Sequence, residues 1–514
     1  MAEELVVIPG DRPVILVAPH GGRRDAERRP WASARRRMND LHTASLTVEL
    51  AARAGAPAII NEKHDRNDVD LNRIVEAHAQ APWFLERLAA TVDAVLARHA
   101  RVTLLALHGW NVVQPVVDLG VGCRPGDDPF AVGRGAAVSS EFAASALRSF
   151  VRACAGHGID ATVGARYPAR NRENLVQLFT TRYRDDPRPA VRALARHAAR
   201  VDAVQLELGI PLRWPGAWRA RFLAALEAAL PAMIAPGPSS EPVTDPAVST
   251  VIQPGRLQFT GPELCGLVAV DRDRGGRLLL FPPDGGLLLF TGERLGLEAV
   301  GTERTLRMLR RGDGGRTITY RGPLLRFPDT LPFLDLEAGL ARAELVDADV
   351  ALVFAPDHPE CAVAGFGRVS GRAIVGDVTH ALDGDGFAED DGFSGPWPRV
   401  RTAMRLADGT SVAVTVGLDG RDASGFVCRN GRHDPVSAAR AEVTAPDAAL
   451  EAVALDVELE SGERLRVALR TIHRLPVVRS RAPVPIRIEF AACGLVPETD
   501  GRACPSGWVE AAGL

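Results

Sequence analysis

Two hydrophobic rhythms follow one another along this chain, and they change over at Ala235–Ala247, where "APGPSSEPVTDPA" gathers Pro, Ser and Gly. Before that break, apolar runs of strand length alternate with runs at helical spacing. "PVILVA" (Pro13–Ala18) is followed by a helical stretch at Thr43–Arg53 and a strand at Pro57–Ile60. A helix carrying Phe84, Leu85, Leu88, Val92, Val95 and Leu96 on one face then feeds the strand Val102–Leu107. Helices near Ser139–Ala155 and Pro189–Arg200 and the strand "AVQLEL" complete the series. Such alternation predicts an α/β domain, a mostly parallel sheet flanked by helices, over residues 1–235. After a linker at 236–250, residues 251–514 change to short alternating strands such as "RTITY" and "SVAVTV", cut by turns such as "PPDGG" and "RGDGG". That pattern predicts an all-β domain, one large barrel or two stacked ones.

Composition narrows the function classes. With 514 residues, the chain exceeds what a single core supports. A formal charge of -3, from 61 basic and 64 acidic residues, argues against a nucleic-acid surface. No apolar run approaches the ~18–20 residues of a membrane span. The acidic start, Met1-Ala2-Glu3-Glu4, does not read as a signal peptide. The cysteines at 123, 154, 265, 361, 428, 493 and 504 are odd in number and form no CxxC pair. That suits free thiols, and a cytoplasmic protein is the expectation.

Polar residues at strand ends carry the candidate chemistry. "PVILVAPHGG" and "LLALHGW" each run an apolar strand into a His-Gly pair, His20-Gly21 and His108-Gly109. Beyond the carboxyl ends of parallel strands, both imidazoles would converge on one site; the alternative is a hydrogen-bonded histidine at each turn. "DAVQLELG" sets Gln205 and Glu207 on one face of a strand. A carboxylate there is costly to bury unless it is paired or functional, and it would serve as a general base or pair with an arginine. "NDVDLNRIVEAH" holds Asp70, Asn72 and Arg73, an amide and a forked guanidinium suited to a carboxylate, or simply a polar turn.

Taken in order, His20, Asn72-Arg73, His108 and Glu207 resemble the zinc carboxypeptidase and aspartoacylase-type superfamily, and more closely the N-formylglutamate amidohydrolase family. The resemblance rests on "VAPHGG", "NDLHTASLTVELAARAGAPAI", "VDLNR", "LHGW" followed by "VDLGVG", and "QLELG", across most of residues 10–215. It implies a zinc-carboxypeptidase-like fold with one Zn2+ per chain. It further implies cleavage of an N-acyl amino acid, an N-formyl one included, or of a related carboxylate-bearing amide. Carried over, His20 and His108 are zinc ligands, Glu207 is the general base, and Asn72 and Arg73 hold the substrate carboxylate. Arg166 of "GARYPARN" is a candidate helper for the oxyanion. Carboxypeptidases place a glutamate three residues after the first histidine, where this chain has Arg23. The formylglutamate pattern gives Asp40 of "NDLHT" as third ligand, with His42 and Asp25 as rivals and helix N-capping as another use for Asp40.

The second domain loosely resembles the lipocalin-like, double-barrel proteins related to carotenoid hydratases, through "GDGFAEDDGFSGPWPRV", "DGTSVAVTV" and "SGFVCRNGRHDPVSAARAEV". Where members carry a His-Ser-Trp-Gly-like element, this chain reads Glu389-Asp390-Asp391-Gly392, so hydratase chemistry is not inherited residue for residue. Two other readings stay open: a degenerate hydrolase fold whose β domain binds an apolar ligand, and a bifunctional enzyme with hydratase or isomerase chemistry in the β domain.

Overall fold

The computed structural model describes residues 5–22, 37–124, 128, 130, 135–235, 254–271, 275–292, 306–329, 336–358, 364–390, 399–418, 422–444, 450–479, 486–495 and 505–512. Arg23, Asp25, the 236–250 linker, Asp391-Gly392 and Trp397, all singled out in the sequence, lie outside them. The chain divides into two compact units, one built mainly from residues 36–249 with the N-terminal segment, the other mainly from residues 303–514 with 250–294.

The α/β unit is built on seven strands: β1 (Val6–Ile8), β2 (Val14–Ala18), β3 (Ala58–Ile60), β4 (Val102–Trp110), β5 (Val116–Gly120), β6 (Asp160–Val163) and β7 (Val201–Gly209). They lie in the order β1-β3-β2-β4-β7-β5-β6. Strands β3, β2, β4 and β7 are parallel neighbours. The sheet is mixed but mostly parallel: β5 and β6 are also parallel, while β1 runs against β3 and β5 against β7. The reason for the second reversal is the link from β4 to β5, residues 111–115, which is too short for the dozen or so residues a parallel return requires.

Both faces of the sheet are covered, which explains strands that read as unbroken apolar runs. Along β2, Val14, Leu16 and Ala18 join one core with Phe142, Phe150 and Phe222. Ile15 and Val17 point the other way, into a core with Phe84, Leu85, Leu88, Val92 and Val95. Those five lie on the helix Pro82–Leu96, whose start is set by Pro82 in its first turn, where no backbone N–H is needed. Each such side chain removed from water contributes about 1.5–3 kcal/mol, so Leu88→Asp would strip one face of the sheet. The helical segment expected near Ser139–Ala155 is a helix at Ser140–Phe142, a π-helical turn at Ala143–Leu147 and a second helix at Arg148–Gly156.

The second unit is all-β. Strands from Gly255–Thr260 to Val378–Glu389 make a nine-stranded antiparallel sheet. The sheet curls round on itself, since Leu287–Leu289 pair with Leu325–Phe327. The strands from Arg399–Arg405 to Pro505–Ala512 close into an eight-stranded barrel. This architecture is consistent with a lipocalin-like arrangement. Inward-facing Val400, Met404, Val412, Val414, Leu455 and Leu469 form a continuous packed cluster in the barrel. Trp508 ties barrel to sheet, donating from Nε1 to Phe259 O at 2.9 Å. Buried Glu389 crosses the same seam by pairing with Arg401, while Asp390 accepts from Arg316 at 2.8 Å and from Arg310 at 2.9 Å within the sheet.

Candidate metal and active site

His20 follows β2, His108 sits in β4 and Glu207 in β7, at the carboxyl ends of three parallel strands. Asp40 comes from the segment before the helix Thr43–Ala54 and is tied to His20 through the backbone, Asp40 N donating to His20 O at 2.8 Å. The outcome is a buried triangle. His20 Nδ1 lies 3.2 Å from Asp40 Oδ2 and 3.2 Å from His108 Nδ1, and His108 Nδ1 lies 3.3 Å from Asp40 Oδ2. Among the described residues this is the one cluster of His, Cys or acidic groups that could hold a metal ion.

The donor set tests well against a cation. His20 Nε2 donates to Asp70 Oδ1 at 2.7 Å, which leaves the lone pair of the ring on Nδ1, facing the other two atoms. A tetrahedral ion with ~2.0–2.1 Å bonds has ligand atoms about 3.3 Å apart, the edge length seen here. Burial pushes the His108 imidazole down to about 4, against the opposing pull of its bond to Asp40, so at neutral pH it is uncharged. Burial resists ionisation of Asp40, but Arg66 and the adjoining imidazoles of His108 and His20 hold its carboxyl well below the usual range. Arg66 reaches Asp40 Oδ1 at 3.1 Å, leaving Oδ2 to the histidines.

His42 and Asp40 exchange the places that helix-capping logic gives them. His42, not Asp40, is the N-cap of Thr43–Ala54, at φ 67, with its ring 5.1 Å from that of Trp214. Asp40 uses its backbone carbonyl on Thr43 and turns its side chain into the triangle.

Glu207 stands beside the triangle. Its neighbours across the sheet are His108 on β4 and Asp118 on β5. Burial, then the charges of Asp40 and Asp118, raise its pKa well above the ordinary value, with Arg66 and a bond from Gln205 opposing. Asp118 accepts from Thr162 Oγ1 at 2.8 Å and from the N–H groups of Ala165, Arg166 and Tyr167 at 3.1, 2.8 and 2.6 Å. It thereby holds the loop that carries Arg166, whose own side chain is exposed and lies 5.8 Å from the Tyr167 ring.

No family model matches the chain, and no curated protein matches it. Solved structures do. An N-formylglutamate amidohydrolase from Ralstonia eutropha JMP134 is similar at 16% identity and a TM-score of 0.29, over 44% of this chain and 97% of that one. Kievitone hydratase from Nectria haematococca is similar at 8% identity and a TM-score of 0.26, over 52% of this chain and 93% of that one. Both resemblances read in the sequence therefore recur among solved structures. At these scores neither assigns a function, which has to come from the side chains themselves.

Asn72 and Arg73, neighbours in sequence, have different surroundings. Asn72 Oδ1 accepts from Leu175 N at 3.2 Å and its Nδ2 faces Gln205 Oε1 at 3.4 Å, so its amide is engaged inside the protein. Arg73 keeps its side chain 34% exposed, with Nε 3.8 Å from Asp70 Oδ2.

Two further side chains, Asp70 and Arg213, support the triangle. Asp70 braces His20 and also pairs with Arg37. Arg213, 1% exposed, donates to Leu208 O at 3.3 Å, to Leu41 O and to Asn111 Oδ1 at 2.6 Å. A Cβ at Gly109 would lie 2.9 Å from Arg213 Cζ and 3.0 Å from Asp40 Cβ, so this glycine lets both approach. The glycines after His20 let neighbouring backbone approach closely. A Cβ at Gly21 would meet Asn61 O at 2.7 Å, and one at Gly22 would meet His64 O at 1.8 Å. The sequence signal for Asp70 was the carboxylate two residues before Asn72; for Arg213, only its position just past the strand bearing Glu207.

Proposed function

We propose that the α/β unit is a zinc-dependent amidohydrolase that cleaves an N-acyl amino acid, an N-formyl one included, or a related carboxylate-bearing amide. The observation carrying this is the buried His20–Asp40–His108 triangle with Glu207 on the adjacent strand. Two imidazoles and one carboxylate, with a carboxylate behind His20, suit zinc in a catalytic rather than a structural site. A zinc ion bound there supplies Lewis acidity and brings the pKa of water to ~7.

The remaining roles belong to the chain. His20, Asp40 and His108 would hold the ion, and Asp70 would fix the tautomer and plane of His20. Glu207 takes a proton from the attacking water and returns it to the leaving amine nitrogen. Its raised pKa places it nearer neutrality than a free carboxylate, where both transfers proceed. Arg73 receives the substrate carboxylate at the rim, and Arg166, on the loop held by Asp118, is a second cation for the polarised acyl oxygen.

Metal analysis of the purified full chain tests this directly. One zinc per chain and hydrolysis lost on chelation and restored by zinc are expected; full activity in metal-free protein would overturn the proposal. No hydrolysis of any N-acyl amino acid by zinc-loaded protein would overturn the substrate class. The intact triangle counts against a degenerate hydrolase fold.

A further inference from the structure

Glu207 has a neighbour that the reaction above does not use. Gln205 lies two residues earlier on β7 and projects to the same face. Its Nε2 donates to Glu207 Oε1 at 2.7 Å. At the other end of the amide, Gln205 Oε1 accepts from Asn174 Nδ2 at 2.6 Å and faces Asn72 Nδ2 at 3.4 Å. Gln205, Glu207 and Asn174 are all buried.

The two ends of an amide have nearly the same shape, so its direction has to be deduced from groups whose role is fixed. Two such groups close this network. Val176 N donates to Asn174 Oδ1 at 3.1 Å, and Leu175 N donates to Asn72 Oδ1 at 3.2 Å. A backbone N–H is a donor only. Each asparagine must therefore give its oxygen to the backbone and its NH2 to Gln205. Gln205 must in turn give its oxygen to the asparagines and its NH2 to Glu207. Reversing any one amide would set oxygen against oxygen inside the protein and leave buried polar groups unpaired.

We infer that this directed chain, from the Val176 and Leu175 N–H groups through Asn174 and Asn72 to Gln205, makes Glu207 Oε1 an acceptor only, so that the proton in transit is carried on Oε2. Oε2 has no hydrogen-bond partner among the described residues. The inference rests on Glu207 acting as the proton carrier of the proposed reaction. It makes Gln205, Asn174 and Asn72 positioning residues, and gives Asn72 an internal task in place of the substrate contact expected from the sequence. It also ties the base to the loop 171–176, which meets Arg73 through the Arg73–Asn174 bridge.

The test has an arm that needs no turnover. In the full chain labelled with 15N at glutamine side chains, the Gln205 resonance is assigned by its absence in Gln205→Leu. One of its two protons is expected far downfield and protected from exchange. Glu207→Leu, which has no acceptor, should collapse that shift. Glu207→Gln should keep it, because its oxygen is turned toward Gln205. A Gln205 resonance unmoved by Glu207→Leu overturns the inference whether or not the protein is a hydrolase. The kinetic arm compares two changes at Asn174, which does not touch Glu207. Asn174→Ala leaves Asn72 to orient Gln205, whereas Asn174→Asp presents an acceptor to Gln205 Oε1 and drives the amide over. We expect kcat to fall about tenfold or more further in Asn174→Asp than in Asn174→Ala. KM and zinc content should be unchanged, and the fall should not track Tm. Equal losses that follow Tm in both variants overturn the directed chain while leaving the proposed reaction standing.

Discussion

His108 and Glu207 are partners in register on adjacent parallel strands, so an imidazole and a carboxylate share one face of the sheet at the spacing of neighbouring strands. Burial and the charges of Asp40 and Asp118 raise the Glu207 pKa in the folded protein. The sign follows from linkage: a carboxyl with a raised folded pKa contributes least stability where it must ionise, above its unfolded pKa. In chelated protein at pH 7–8, Glu207→Gln should therefore melt a few degrees higher than wild type, and the difference should vanish near pH 4, where both side chains are neutral. Hydrolysis by the zinc-loaded variant should fall by about 100-fold or more. Thermal melts across pH and steady-state rates check both halves, and a variant that is less stable at pH 8 contradicts the first.

Asp70 touches no reacting group yet sets how His20 presents its lone pair. Asp70→Asn should weaken zinc binding about 10–100-fold without changing the stoichiometry at saturating metal. Competition against a chromophoric chelator measures it; unchanged affinity would show that the His20–Asp70 bond does not tune the ligand.

The third ligand can be separated from its neighbour by substitution. Asp40→Ala should abolish stoichiometric zinc binding, whereas His42→Ala, which removes an N-cap residue packed on Trp214, should keep one zinc per chain. Elemental analysis after gel filtration reads this out, and the reverse pattern would move the site to His42.

Gly109 and Gly22 should fail in different ways when each becomes alanine. At Gly109 the new methyl presses on Asp40 Cβ and the Arg213 guanidinium, so folded protein is expected with reduced zinc affinity and rate. At Gly22 it meets the carbonyl of His64 at 1.8 Å, so loss of soluble, folded protein is expected first. Circular dichroism beside zinc titration distinguishes the two.

Much of this was legible in the sequence because strand ends announce themselves. Val14–Ala18 and the run Val102–Leu107 are apolar on both faces, and the first polar group past such a run is placed by the sheet. Asp40 was harder to read, since its position depends on a backbone bond from Asp40 N to His20 O, twenty residues away in sequence. Gln205 was visible on the face of Glu207, but its direction depends on Asn174 and on backbone N–H groups no pattern marks. The reversal of β5 was hidden because "VVDLG" reads alike in either direction; the short link from β4 held the information.

Strand β7 lies between β4 and β5, which are consecutive in the chain. A nascent chain that ends before Val201 thus has two parts of a sheet with a slot one strand wide between them, about 10 Å from β4 to β5. Its edges carry the unpaired backbone of His108 on one side and Asp118 on the other. Glu207 arrives with the strand that fills this slot, so the base enters the site in the same step that completes the sheet. Any truncated product lacking it would expose two aggregation-prone edges and lack the base.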